Sequence, residues 1–131
     1  MSQINSVVRE TGVSYYGVAY PDRAIYDFRE LLDYGCNAVL FGVSEFDYWF
    51  WHDNTLKLIE EAKLRGFTVY IDLWGWGKVF GGEPPSIFLQ KHHDCRQVTA
   101  KGVVYPAACF NTEEFRNYVI ERVEKLAKES D

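Results

Sequence analysis

Residues 37–73, NAVLFGVSEFDYWFWHDNTLKLIEEAKLRGFTVYIDL, decide the fold of this chain. They begin with an almost continuous apolar run, Asn37 to Val43, which is typical of a strand covered by helices on both faces. Asp53 can cap a helix whose apolar positions recur at helical spacing until Gly66. The apolar, β-branched run from Phe67 to Leu73 then predicts another strand. Because a helix-sized connection between paired strands makes them parallel, this stretch predicts a parallel α/β sheet.

The same alternation extends to both sides of this stretch. A strand is predicted from Val13 to Tyr20, and a helix from Arg23 to Tyr34 follows it. Asn111-Thr112-Glu113-Glu114 has the N-cap and N3 carboxylate of a capping box, and it opens a helix that runs almost to the chain end. We interpret residues 1–131 as a single domain of about three β-α units, the N-terminal part of a (β/α)8 TIM-type barrel. A complete barrel needs about 250 residues.

A long, glycine- and proline-rich stretch, residues 75–110, follows the third predicted strand. Ordinary strand-to-helix loops have about 2–6 residues, and much longer ones are usually functional or disordered. The glycines, including Gly81-Gly82, lack the Lys-Ser/Thr or complete glycine fingerprint of a phosphate loop, so we expect them to permit sharp turns. This long strand-to-helix loop is predicted to form a lid or a small subdomain.

Composition excludes several classes of partner. The net charge is −5 and no basic run occurs, which argues against nucleic acid. The N-terminus lacks the pattern of a targeting segment, and no apolar stretch is long enough to cross a membrane. Cys36, Cys95 and Cys109 are odd in number and irregularly spaced, which favours reduced thiols. We therefore predict a cytoplasmic protein that binds neither nucleic acid nor membrane.

Carboxylates and aromatic rings alternate at the predicted strand ends, where ligands bind in parallel α/β folds. Sugars suit such a surface, because their C–H faces stack on aromatic rings while carboxylates bind their hydroxyl groups. We therefore predict a carbohydrate ligand. The strand ends carry Tyr15, Tyr16, Tyr20, Ser44, Glu45, Asp72, Trp74 and Trp76. The predicted substrate-binding residues are Tyr16, Tyr20, Glu45, Asp72, Trp74 and Trp76, with His92 and His93 reaching the ligand from the long loop.

Each candidate also has a plainer interpretation. Glu45 and Asp72 could form the carboxylate pair of glycoside hydrolysis, but buried carboxylates more often satisfy backbone donors or position their neighbours. His92-His93-Asp94-Cys95 could ligate a metal together with Cys109 or His52. That spacing matches no established zinc pattern, so we expect no metal and no cofactor, and a solvated polar turn at the histidines. Cys109, beside a helix N-terminus, is the cysteine worth testing as a nucleophile.

Several segments together carry a resemblance to a known group of proteins. They are Tyr15-Tyr16-Gly17-Val18, Asn37-Ala38-Val39, Gly42-Val43-Ser44-Glu45, Ala62-Lys63-Leu64-Arg65-Gly66, Val69-Tyr70-Ile71-Asp72-Leu73-Trp74 and Cys109-Phe110-Asn111. With them the chain resembles the N-terminal part of TIM-barrel glycoside hydrolases and related glycosidase-like proteins. The resemblance implies that the acid/base lies at the end of a fourth strand and the nucleophile on a later one. The catalytic residues of this chain are then unknown, and Glu45, Asp72, Trp74 and Trp76 belong to sugar subsites.

Two hypotheses of function follow from these observations. In the first, the chain is a carbohydrate-active barrel segment, and hydrolase activity depends on the remainder of the barrel. In the second, it is a non-catalytic half-barrel or interaction module. Three parallel strands leave two open edges and an inner face, through which such a module would self-associate as a homo-oligomer.

Overall fold

The computed structural model describes residues 9–17, 19–79 and 83–131. Three sequence predictions involve residues outside these ranges. They are the lack of a targeting segment at the N-terminus, which includes residues 1–8, the strand position Val18 and the turn at Gly81-Gly82.

Successive β-α units make up the first part of the described chain, and their strands form a parallel sheet in the order β1-β2-β3. Ser14, Leu40 and Tyr70 lie side by side across this sheet. The predicted parallel α/β arrangement is therefore confirmed, with a shorter first strand than expected. The described residues close no barrel, so the (β/α)8 barrel stays a prediction. The elements are β1 Gly12–Tyr15, α1 Pro21–Asp33, β2 Ala38–Gly42, α2 Glu45–Phe50, α3 His52–Leu64 and β3 Thr68–Asp72.

One face of the sheet packs against α1 and α3. Phe28 of α1 and Ile59 of α3 are fully buried there against Val39 and Phe41 of the central strand. The apolar positions of the two helices recur every three or four residues, so each helix buries one stripe against alternate residues of the strands. This main core holds the three strand ends in fixed positions relative to one another.

The opposite face of the sheet is open. Its residues alternate with the buried ones, so Ser14 and Tyr70 are exposed and Leu40 is partly exposed, with Tyr70 at 47%. Parallel sheets are normally covered on both faces. We call the surface around Ser14, Leu40 and Tyr70 the open sheet face.

The aromatic segment 46–51 precedes the helix that was predicted to begin at Asp53, and it is itself mostly helical. In α2 the Ser44 hydroxyl accepts a hydrogen bond from the Asp47 amide at 3.2 Å, and the Asp47 carboxylate accepts one from the Ser44 amide at 2.8 Å. This is a capping box, in which each side chain satisfies an amide that the helix leaves without a partner. The Ser44-x-x-Asp47 spacing was the sequence signal for this helix.

Residues 75–110, which we predicted to form a lid or a small subdomain, contain regular secondary structure where the structure describes them. The described part contains a short helix, α4 Phe88–Lys91, and an antiparallel hairpin of β4 Arg96–Val98 and β5 Val104–Ala108. A second core forms there, in which Phe88, Cys95 and Ala108 bury Phe115 of the last helix, α5 Glu113–Glu129. The long loop is therefore a packed subdomain attached to α5.

The capping box predicted at the start of α5 is wrong, although the helix is present. Thr112 is the N-cap residue and its side chain makes no capping hydrogen bond. Its hydroxyl donates to the Cys109 carbonyl at 2.7 Å, and the Glu114 carboxylate accepts a hydrogen bond from the Cys95 thiol at 3.3 Å. The Thr112 side chain thus bonds to Cys109 and the Glu114 side chain to Cys95 of the second core, so neither takes part in a capping box.

Candidate functional site

Three of the predicted substrate-binding residues meet at the carboxyl end of the sheet. The Tyr16 hydroxyl, which follows β1, donates a hydrogen bond to the Asp72 carboxylate at the end of β3, with 2.9 Å between the oxygens. The Trp74 ring meets the Tyr16 ring edge to face, with 5.6 Å between centroids. Asp72 and Tyr16 are exposed and Trp74 is partly exposed. We call this group the Tyr16–Asp72–Trp74 cluster.

Gly42 makes the cluster possible. Tyr16 follows β1 and Asp72 ends β3, the two outer strands of the sheet, so the tyrosine ring has to cross the central strand to reach the carboxylate. A Cβ atom at position 42 would lie 1.9 Å from Cδ1 of Tyr16. The lack of a side chain at Gly42 therefore lets the Tyr16 ring lie directly on the backbone of β2.

The hydrogen bond between Tyr16 and Asp72 favours the protonated form that the tyrosine already has at physiological pH. Because the phenol donates to a carboxylate, the bond raises the pKa of Tyr16 above its usual range. Tyr16 therefore stays a neutral donor at physiological pH. Among the described residues, the Asp72 side chain accepts this one hydrogen bond, which leaves its Oδ1 atom available to a ligand.

Glu45 is placed differently, in the interior between β2 and the subdomain. It is 1% exposed, and both of its carboxylate oxygens accept hydrogen bonds from Gly77 and residues 86–88. Its Oε1 atom accepts from the Gly77 amide at 2.8 Å and from the Ser86 hydroxyl at 2.9 Å. Its Oε2 atom accepts from the Phe88 amide at 3.0 Å and from the Ile87 amide. Glu45 thus satisfies backbone donors, as its plainer interpretation expected.

Trp76 is buried as well, at 5% exposure. Its indole N–H donates to the Val43 carbonyl at 2.7 Å, and its ring packs against Tyr48 and Tyr118. The positive φ of 79° at Gly75 turns the chain after Trp74, so that Trp76 points into the protein while Trp74 stays near the surface. The two neighbouring tryptophans therefore have different roles.

The remaining predicted residues lie apart from the cluster. Tyr20 is exposed at the N-cap of α1, in a shallow groove with Asn54 and Lys57. His92 stacks on Phe88, with 4.2 Å between ring centroids. His93 lies within hydrogen-bond distance of the Gln90 carbonyl and the Arg96 guanidinium, both at 2.9 Å.

The residues weighed as metal ligands do not converge in the way that the sequence suggested. Among the described residues, the donor atoms of Asp94, Cys95 and Glu114 lie within 4.8 Å of one another, and neither neighbouring histidine belongs to this group. Burial raises the pKa of the Cys95 thiol, which disfavours the thiolate that a metal needs. We assign no metal to this group.

Comparison with known proteins identifies no family for this chain. No protein-family model, no curated protein and no solved structure matches the chain. The resemblance to glycoside hydrolases stays a prediction based on the segments given above. Within the described residues, no helix combines the length and the apolar character needed to cross a membrane.

Some residues of interest were not found by reasoning from the sequence. Nothing in the sequence indicated the donors around Glu45, which belong to Gly77 and residues 86–88. Most of them are backbone amides, which every residue type except proline has. Neither Tyr118 nor Arg122 was among the predicted binding residues. In the structure the Arg122 guanidinium lies 3.9 Å from the centre of the Tyr118 ring.

Proposed function

We propose that the chain binds carbohydrate through the Tyr16–Asp72–Trp74 cluster. The observation that carries the proposal is the meeting of an exposed carboxylate with two aromatic rings at the carboxyl end of a parallel sheet. The Trp74 ring can pack against the C–H face of a sugar, and the Asp72 oxygens can accept hydrogen bonds from its hydroxyl groups.

We propose saccharide binding and not hydrolysis, because hydrolysis needs two available carboxyl groups beside the same glycosidic bond. Asp72 is available, whereas both oxygens of Glu45 are occupied by hydrogen bonds within the protein. The catalytic residues therefore stay unassigned, and any hydrolase activity would depend on groups other than Glu45.

Saccharide binding can be tested by tryptophan fluorescence with cellohexaose, maltohexaose and chitohexaose as probes. We expect at least one of them to quench the emission, and Trp74→Ala to weaken its binding about tenfold, the upper range of an aromatic contact. Gly42→Ala should have a similar effect, because its methyl group displaces the Tyr16 ring without removing any group of the cluster.

Trp51→Ala is the matched control for this experiment. Trp51 is an exposed tryptophan, at 46%, that lies between α2 and α3 and outside the cluster. Its loss should leave saccharide affinity unchanged. The proposal is wrong if no probe alters the fluorescence, or if Trp51→Ala weakens binding as much as Trp74→Ala.

A second candidate function, self-association, is supported by the open sheet face. Leu40 and Tyr70 present partly apolar surface where parallel sheets are normally covered, and among the described residues β1 and β3 each have one unpaired edge. The partner that we consider for the open sheet face is a second copy of the chain. Such a copy would also cover the Tyr16–Asp72–Trp74 cluster, so the two candidates compete for one surface.

Sedimentation velocity over a series of concentrations tests self-association. If this candidate is correct, the wild-type chain forms dimers or larger species, and Leu40→Lys shifts it to the monomer, because a charged group on this face would be desolvated on pairing. Leu64→Lys is the matched control, since Leu64 is 73% exposed at the end of α3, away from the sheet. A monomeric wild-type chain at every concentration would exclude this candidate.

A further inference from the structure

A pocket with a volume of about 390 Å³ lies between α2, α4 and α5, separate from the residues of the proposed saccharide site. It is lined by Trp49 and Phe50 of α2, by Phe88, Lys91 and His92 in and after α4, and by Tyr118 and Arg122 of α5. Its volume is within the range of small-molecule sites, about 300–1,000 Å³. We call it the α2–α4–α5 pocket.

The charge of this pocket is opposite to that of the whole chain. The chain has 19 acidic and 14 basic residues, yet the described residues that line the pocket include Lys91 and Arg122 and no carboxylate. The groove between α3 and the end of α5 differs, because Asp53, Glu60 and Glu129 line it together with lysines. A cationic pocket in an acidic protein attracts anions.

Both cations retain capacity to bind a ligand. Lys91 is exposed and makes no ion pair with any described residue. Arg122 donates from Nη1 to the Tyr118 carbonyl at 3.0 Å and to the exposed Glu121 carboxylate at 3.2 Å. Its Nη2 group has no acceptor among the described residues.

Arg122 is also held in place by aromatic rings. Its guanidinium lies 3.9 Å from the centre of the Tyr118 ring and 5.3 Å from that of Trp49. The Trp49 indole donates to the Tyr118 hydroxyl at 3.0 Å, which ties the two rings together. Because these contacts restrict the guanidinium before a ligand arrives, less entropy is lost when it binds one.

The walls of the pocket suit a flat, apolar body. Trp49 and Phe50 are 47% and 65% exposed beside it, and the His92 ring stacks on the buried Phe88 ring within 9° of parallel. We propose that the α2–α4–α5 pocket binds a small organic anion with a planar apolar body, of the class of aromatic carboxylates and sulfonates. The rings contact the body, while Lys91 and Arg122 bind the anionic group.

The experiment compares naphthalene-2-sulfonate with the uncharged naphthalene-2-methanol, titrated into the ¹⁵N-labelled full chain and followed by amide and indole chemical shifts. The sulfonate should shift the Trp49 indole signal and the amides of Lys91 and His92, and it should bind more tightly than the alcohol. Lys91→Gln should weaken sulfonate binding about threefold, as expected for one exposed charge. It should leave binding of the alcohol unchanged.

Lys101→Gln is the control, because it removes the same charge from the exposed turn between β4 and β5. It should leave both affinities unchanged. The proposal is overturned if the two probes bind equally, if Lys91→Gln and Lys101→Gln have the same effect, or if the shifts map to the open sheet face around Leu40.

Discussion

Replacing Glu45 by glutamine should lower the free energy of unfolding by about 3 kcal/mol, because it breaks a buried, charge-assisted set of hydrogen bonds. The carboxylate accepts four hydrogen bonds, from the amides of Gly77, Ile87 and Phe88 and from the Ser86 hydroxyl. Glutamine keeps one acceptor oxygen and turns an NH₂ group toward two of these donors. Two donors are then left buried without an acceptor.

Urea denaturation followed by circular dichroism measures this loss, and hydrogen exchange locates it. The amides that face the NH₂ group of the glutamine should exchange faster in Glu45→Gln, because they lose their acceptor; these are Ile87 and Phe88 if the NH₂ group replaces Oε2, and Gly77 if it replaces Oε1. Glu60→Gln, on the exposed surface of α3, is the matched control and should change stability by less than about 0.5 kcal/mol. Equal losses in the two variants would contradict the structural role assigned to Glu45.

Gly77→Ala is expected to destabilise the protein by about 3 kcal/mol, through backbone strain and overpacking together. Gly77 has a φ of 73°, in the left-handed region that residues with a side chain rarely adopt. An added Cβ would lie 2.3 Å from Cζ of Phe115 and 2.8 Å from Cβ of Ala108. Both neighbours are fully buried, so neither can move aside easily.

Gly102→Ala separates the two causes. Gly102 has a similar φ of 76°, but a Cβ added there meets no atom within 4 Å. Its replacement should lower the free energy of unfolding only through backbone strain, by about 1 kcal/mol. Thermal or urea unfolding of both variants gives the difference, which measures the overpacking against Phe115. A difference close to zero would show that the second core can expand at little cost.

The local pattern of residues was enough to predict the parallel sheet. Two apolar strands, at 37–43 and 67–73, are separated by a segment of helical periodicity. Because a helix-sized connection forces parallel pairing, strands that pair in this way must be parallel. The same topology predicted that residues after β1 and β3 would lie at one end of the sheet. Tyr16, Asp72 and Trp74 do lie together there.

Side-chain direction beyond the strand ends could not be predicted in this way. Trp74 and Trp76 are two residues apart and look equivalent in the sequence, yet the turn at Gly75 leaves one near the surface and buries the other. Glu45 and Asp72 also looked equivalent as carboxylates after strands. The backbone amides of Gly77, Ile87 and Phe88, remote in sequence, bond to Glu45 and not to Asp72.

By itself, the sequence determined the alternation of β1, α1, β2, α3 and β3, the parallel pairing of the strands and the end of the sheet at which polar and aromatic groups gather. These properties depend on periodicity and connection length, which are local. Only the tertiary structure decided that residues 75–110 pack as a subdomain, that Glu45 holds this subdomain in place and that Arg122 and Lys91 share a pocket with Trp49. These features depend on contacts between residues far apart in the chain, whose geometry is set by how the two cores pack.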